Sequence, residues 1–117
     1  MAKAKLNELQ LTILEIINNH IGYDNRISRQ LLCKELLWRG FEIKDRNMRE
    51  QIEFLRSKAP GGAYICSTTA GGYWRAKDMA ELTGYIEQDR RRAKMILARL
   101  RNQEMRASKA MTMVALG

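Results

Sequence analysis

The chain has 117 residues, 45% of them hydrophobic and only one a proline, and it carries 21 lysines and arginines against 13 acids. This length suits one domain with a modest core, and the composition excludes a disordered chain. The formal net charge of +8 favours a polyanionic partner, nucleic acid first and an anionic membrane surface second. The alternative is that the charge only keeps the protein soluble.

Cysteine and histidine usage argues against a metal site and against disulfides. Cys33 and Cys66 form no CxxC pair, and with His20 they cannot complete a tetrahedral zinc site. We therefore predict reduced thiols, no cofactor, no metal and no small-molecule ligand. We also expect no signal peptide and no membrane-spanning run, which predicts a cytoplasmic protein without a membrane partner.

Two amphipathic helices are predicted before residue 41. The first spans residues 7–20, begins with a capping box of Asn7 and Gln10, and carries apolar residues at helical spacing. The second begins after Ser28, a favourable N-cap, and ends before Gly40. Its apolar stripe is predicted to comprise Leu32, Cys33, Leu36 and Leu37.

A third helix is predicted to begin at Asp45, as its capping residue, and to end at the Pro-Gly-Gly run of residues 60–62. Met48, Ile52 and Leu55 lie four and three residues apart, which places them on one buried face. The opposite face then presents Arg46, Arg49, Glu50 and Glu53, with Asn47 at its margin. A charged helix of this width fits the DNA major groove, and a solvated surface without a partner is the alternative.

Residues 63–77 predict a β-hairpin. Strand-forming residues occupy positions 63–67, Gly71 and Gly72 favour a turn with positive φ, and residues 73–76 return. A two-residue extended piece at positions 26–27 can add a third strand. Side chains alternate along a strand, so Tyr73 and Trp74 point to opposite faces. One is expected in the core, and the other is expected to be exposed or to pack on the last helix.

A long basic helix is predicted from Asp78 to about residue 108, with Asp78 and Glu81 as its start signal. Apolar residues at alternating spacings of three and four, interrupted by Asp89 and Gln103, predict a helix-pairing seam and a homodimer. The seam comprises Met79, Leu82, Ile86, Ala93, Ile96, Leu100 and Ala107. Folding back onto the rest of the chain is the alternative, expected for residues 79–86. The basic residues at 90–109 can also extend a DNA footprint by phosphate contacts.

The order of three helices, a hairpin and a long helix resembles a winged helix-turn-helix DNA-binding domain. The resemblance rests on KDRNMREQIEFLR at residues 44–56 and on the hairpin ending GGYWRAKD at residues 71–78. It is similar to the biotin-repressor and DeoR-like types and to small winged-helix proteins of phages and prophages. The resemblance implies a mainly α fold with a small β-hairpin wing. Residues 1–77 would form the winged domain, and residues 78–117 would form a helix for dimerisation and DNA contact.

The resemblance also implies which residues contact double-stranded DNA. Ser28 and Arg29 open the second helix, whose free N–H groups attract a phosphate. Thr68 and Thr69, at the hairpin tip, can lie against a sugar-phosphate backbone. The full set of expected DNA-binding residues is Ser28, Arg29, Lys44, Arg46, Asn47, Arg49, Thr68, Thr69, Arg75 and Lys77.

The leading hypothesis is a phage-type transcriptional regulator or a replication or recombination accessory factor. A protein–protein adaptor is the first rival, supported by Glu50 and Glu53 on the presumed reading face. An RNA-binding accessory protein is the second, with affinity from the basic helix and base stacking from the hairpin aromatics. An enzyme is not expected, because the sequence has no paired carboxylates, nucleophile–base set or phosphate-binding Gly-Lys motif.

Overall fold

The computed structural model describes residues 5–116, the last two by their helical backbone alone. The chain divides into two compact units, Met1–Leu82 and Thr83–Gly117, called here the N-terminal and C-terminal units. The described part is mostly helical, with a small three-stranded antiparallel sheet and a long last helix. Its elements are α1 (Glu8–Asn18), β1 (Ile27–Ser28), α2 (Arg29–Trp38), α3 (Asp45–Lys58), β2 (Ile65–Ser67), β3 (Gly72–Arg75) and α4 (Met79–Leu116).

The predicted caps of α1 and α2 are confirmed. The Asn7 side chain accepts from the backbone N–H of Gln10 at 2.8 Å, and the Gln10 side chain accepts from that of Asn7 at 3.0 Å. Helix α1 ends at Asn18, before the predicted end at residue 20, because the polar residues that follow turn the chain. Ser28 Oγ accepts from the backbone N–H of Leu31 at 3.1 Å and caps α2.

The start of α3 corrects one expectation. Lys44 occupies the N-cap position and makes no side-chain capping bond, and Asp45 is the first helical residue. The Asp45 carboxylate contacts the guanidinium groups of Arg29 and Arg49 and does not cap the helix. The predicted inner face of α3 is confirmed: Met48, Ile52 and Leu55 are buried.

The buried stripe of α2 is narrower than predicted. Leu32 and Leu36 are fully buried, whereas Leu37 is exposed. Cys33 is half-buried, and its Sγ lies 3.6 Å from the sulfur of Met48 on α3. Leu37 lies about 100° further around the helix from Leu36, beyond the strip that α1 and α3 cover.

The three strands pair in the order β1-β3-β2, all antiparallel. Strand β1, predicted as an additional strand at positions 26–27, lies one residue later, at Ile27–Ser28. Strand β2 begins only at Ile65, because the Pro-Gly-Gly run continues into a 3₁₀ turn over Pro60–Tyr64. In the hairpin Gly71 has φ of +93°, as expected, but Gly72 already belongs to β3 and its φ is not positive.

Both hairpin aromatics are buried, on opposite faces of β3. Tyr73 joins the hydrophobic core of the N-terminal unit. Trp74 meets the Tyr23 ring edge-on at 5.2 Å, and its indole N–H donates to the Glu81 carboxylate at 3.0 Å. Of the predicted alternatives, core packing holds for Tyr73 and packing on the last helix holds for Trp74.

Helix α4 begins with the predicted cap, in which Asp78 Oδ1 accepts from the backbone N–H of Glu81 at 2.8 Å. It continues to Leu116, past the expected end near residue 108, since residues 109–116 include no glycine or proline. Leu82 is buried as the folding-back alternative predicts, but Met79 and Ile86, at the two ends of that segment, are exposed. Over residues 5–116, none of the helices combines the length and apolar character that crossing a bilayer requires.

Candidate nucleic-acid interface

A cleft of about 240 Å³ lies between α3 and the β2–β3 hairpin. Its walls come from the first residue of α2, the middle of α3, the end of β2, the hairpin turn and β3. Its lining residues are Arg29, Arg49, Ile52, Glu53, Arg56, Ser67, Thr68, Thr69, Gly71 and Tyr73. Guanidinium and hydroxyl groups therefore dominate its polar lining, a combination that suits an anion.

The hairpin turn holds the start of α2 against this cleft. The backbone N–H of Arg29 donates to the Gly71 carbonyl at 2.8 Å. The Arg29 side chain lies directly over Gly71, where an added Cβ would stand 2.3 Å from Nε. Thr68 closes the turn, since its backbone N–H donates to the Gly72 carbonyl at 3.0 Å and its Oγ1 accepts from the Gly72 N–H at 3.1 Å. Glycine at position 71 thus permits both the turn and the close approach of Arg29.

The arginines of the cleft are held by carboxylates. Asp45 Oδ2 lies 3.6 Å from Arg29 and 3.3 Å from Arg49. Arg56 pairs with Glu53 at 2.9 Å. These three guanidinium groups face two carboxylates, so a positive charge remains. Partly exposed ion pairs contribute about 0–1 kcal/mol, whereas a phosphate offers several charge-assisted hydrogen bonds, so a phosphate can replace Asp45.

Tyr73 forms the inner end of the cleft. Burial raises the pKa of its phenol, and the nearby Arg56 and Arg29 guanidinium groups offset part of that rise. The phenol therefore stays protonated at neutral pH. A neutral hydroxyl there can donate to an anion without adding negative charge.

The structure brings four of the ten predicted DNA-binding residues together in the cleft: Arg29, Arg49, Thr68 and Thr69. Ser28 lies beside them as the α2 cap.

Three more predicted residues, Lys44, Arg46 and Asn47, are exposed at the start of α3. The Arg46 side chain is 88% exposed and its Nε lies 3.5 Å from Glu50. Asn47 Oδ1 accepts from the Gln51 amide at 3.2 Å. All three can therefore reach a partner in solution.

The remaining two predicted residues, Arg75 and Lys77, are not among those that line the cleft. The Arg75 guanidinium lies 5.4 Å from the centre of the Tyr64 ring. The Lys77 side chain lies against Gly22, where an added Cβ would stand 3.8 Å from it. These two residues thus have other neighbours inside the N-terminal unit.

Arg56 and Ser67 line the cleft but are not among the predicted DNA-binding residues. Arg56 follows Arg49 by seven residues, two helical turns, and that spacing was the available signal. Ser67 is the last residue of β2, as it is of the predicted strand, and it enters the cleft beside Thr68. Arg26 does not line the cleft: it stacks on the Tyr23 ring at 4.1 Å and lies against Gly72.

Comparison with known proteins found no relative of this chain. No protein-family model matches the chain. Searches of curated proteins and of solved structures found no match either. The positions and charges of the residues described above are therefore the basis for proposing a function.

Proposed function

We propose that this chain is a non-enzymatic double-stranded DNA-binding protein whose N-terminal unit is a winged helix-turn-helix domain. In this proposal α3 is the recognition helix and the β2–β3 hairpin is the wing. The observation that carries it is the convergence of α2, α3 and the hairpin turn on one arginine- and hydroxyl-lined cleft beside the exposed face of α3. A phage-type transcriptional regulator or a replication or recombination accessory factor fits this arrangement, in the cytoplasm.

Helix α3 supplies the groups for the major groove. Its exposed face begins with Arg46 and Asn47, the side-chain types that pair with guanine and adenine edges respectively. Arg49 lies one turn further along and lines the cleft, where it is placed to hold a backbone phosphate. Along α3, from its first turn towards the cleft, the base-contacting residues thus come first and a phosphate-contacting residue follows.

The start of α2 and the hairpin supply a second phosphate site. Ser28 caps α2, and Arg29 extends from its first turn into the cleft. Thr68 and Thr69 of the hairpin turn add hydroxyl groups to the same cleft. The backbone N–H groups of Arg29 and Leu31 already donate to Gly71 and Ser28, so the guanidinium and the hydroxyls supply the contacts that fix a duplex in register.

The adaptor hypothesis is the second candidate, and one exposed residue favours it. Trp38 at the end of α2 is 90% exposed, and Leu37 beside it is exposed as well. Glu50 and Glu53 lie among the arginines of α3 and lower the positive charge of that face. The RNA-binding hypothesis has less support, because Tyr73 and Trp74 are buried and cannot stack on bases.

Fluorescence anisotropy with a labelled random-sequence duplex of about three helical turns tests the proposal, across a salt series and with single-stranded competitor. We expect tight duplex binding at low salt, a steep log–log salt slope and weak competition. Arg46→Ala and Arg49→Ala should each weaken binding by about 1–3 kcal/mol with an unchanged circular dichroism spectrum. Lys34→Ala, which removes one exposed charge from α2, is the matched control.

Two results would refute the proposal. One is the absence of duplex binding at low salt, which would turn attention to the adaptor function and to Trp38. The other is wild-type affinity in both arginine variants, which would remove α3 from the reading role. Preference for single strands would favour the RNA-binding hypothesis.

A further inference from the structure

The C-terminal unit exposes an apolar seam along one helix. In the single chain Ile96 is 43% exposed, Leu100 46% and Val114 79%. The alternating three- and four-residue spacing of the seam continues beyond its predicted end at Ala107, through Ala110 to Val114. The a and d positions of this heptad pattern, in chain order, are Ala93, Ile96, Leu100, Gln103, Ala107, Ala110 and Val114.

We propose that residues 93–114 form a parallel, in-register, two-stranded coiled coil with a second copy of this chain. Such a pair would form without nucleic acid, so it lies beyond the proposed DNA binding. The spacing of the seam alone does not choose between parallel and antiparallel helices. The charges beside the seam and the polar residue within it decide the orientation.

The flanking charges are compatible with a parallel pair. The g positions are Arg92, Arg99, Arg106 and Met113, and the e positions are Leu97, Glu104 and Met111. In a parallel pair each g residue faces the e residue five positions later on the other helix. Arg99 then meets Glu104 of the second copy, twice by symmetry. The apolar methylene groups of Arg92 and Arg106 then pack on Leu97 and Met111 of the second copy.

An antiparallel pair brings like charges together. There g positions face g positions, so with residues 93–114 overlapped Arg99 meets Arg106 of the second copy, twice by symmetry. These two arginine pairs oppose that arrangement. Glu104 at the facing e position meets Leu97, so it does not offset the repulsion.

Gln103 supports the same choice. In a parallel, in-register pair its amide faces the identical amide of the second copy, and each can donate to and accept from the other. In the antiparallel pair with residues 93–114 overlapped it faces Leu100, which leaves the amide without a partner. Asp89, the preceding d residue, would face its own copy, and the Arg92 guanidinium lies 3.6 Å from it. We therefore begin the coil after Asp89.

Sedimentation of the full chain without DNA gives the first test, and a concentration-dependent dimer is expected. Gln103→Cys should then form a disulfide-linked dimer on mild oxidation. Met105→Cys, at an exposed position outside the a, d, e and g set, should not. Wild type under the same oxidation controls for Cys33 and Cys66. A monomer at high concentration, a trimer, or no cross-link in the Gln103→Cys dimer would overturn the proposal.

Charge reversal tests the orientation independently. Glu104→Arg should weaken the dimer about tenfold, because two attractive pairs become repulsive. The double change Arg99→Glu with Glu104→Arg should restore it. Arg106→Glu should change the dissociation constant less than about twofold in a parallel pair. Tightening by Arg106→Glu would instead indicate antiparallel helices and refute the inference. Because no DNA is present, failure here leaves the DNA-binding proposal standing.

Discussion

Replacing Gly71 with alanine separates the role of the Arg29 guanidinium from the stability of the hairpin. Gly71 has φ of +93°, and an added Cβ would stand 2.3 Å from Arg29 Nε, so the arginine side chain must leave its position. Gly40 has the same φ of +93° but nothing within 4 Å of its added Cβ. Gly40→Ala therefore carries similar backbone strain without displacing a neighbour, which makes it the matched control.

The expected magnitudes follow from these distances. An L-residue forced to positive φ costs about 1–2 kcal/mol, in both variants. Displacing the flexible Arg29 adds only the loss of its 3.6 Å pair with Asp45, about 0–1 kcal/mol. Thermal melts should therefore show similar destabilisation, with Tm lowered by about 4–8 °C for each kcal/mol.

DNA binding should separate the two variants. Gly71→Ala should weaken duplex binding as much as Arg29→Ala does. It should also reduce the log–log salt slope by about one, the contribution of one phosphate contact. Adding Arg29→Ala to Gly71→Ala should cause no further loss, because the guanidinium has already left the cleft. Gly40→Ala should bind as wild type does, at a temperature where all variants are folded. Equal affinity for the Gly71 and Gly40 variants would show that Arg29 holds no phosphate.

Three further substitutions test the N-terminal unit. Gly62→Ala would place its Cβ 1.9 Å from the Leu55 carbonyl oxygen and should cost more than about 3 kcal/mol in urea melts. Gly61→Ala meets a neighbouring side chain at 3.5 Å and should stay within about 1 kcal/mol of wild type. A similar loss in both would contradict the steric argument. The fold raises the pKa of the Tyr73 phenol. Its contribution to the free energy of unfolding is therefore complete below about pH 10, the pKa in the unfolded chain, and is lost as the pH rises through the higher pKa of the folded chain. Tyr73→Phe should remove this loss of stability at alkaline pH in thermal melts from pH 8 to 11. Wild-type and variant stabilities that fall in parallel over this range would contradict the expectation. Met48→Asp should unfold the domain by circular dichroism, because it buries an unpaired charge, while Met105→Asp on the exposed helix should not.

Helix positions were predictable where one periodic pattern decided them. The inner face of α3 follows from apolar residues four and three residues apart, and the caps at Asn7 and Ser28 follow from local hydrogen bonding. Asp45 could not be assigned in this way. Its carboxylate lies 3.3 Å from Arg49, four residues later, and 3.6 Å from Arg29, sixteen residues earlier, and only the second contact leaves no local signal.

The cleft was predictable in part. Arg29, Arg49 and the two threonines were expected at a DNA surface, and the structure places them together. Their exact grouping depends on the pairing of β1 with β3, which brings the first turn of α2 onto the hairpin. Arg75 lies on the return strand as expected, but the ring of Tyr64 holds its guanidinium elsewhere. Tertiary contacts of this kind decide which of several exposed arginines share a site.

The Glu81 carboxylate accepts three hydrogen bonds, and these affect how readily the N-terminal unit opens. It accepts from the Trp74 indole at 3.0 Å, from the Lys77 backbone at 3.1 Å and from the Tyr23 backbone at 3.4 Å. The last bond links residues 58 positions apart, so it forms only after the sheet has assembled. The backbone amide protons of Tyr23 and Lys77, which donate to this carboxylate, should then exchange with deuterium more slowly than loop amides without such a bond. Loops usually exchange fastest, so the protection of these two amides would report on the carboxylate that joins them.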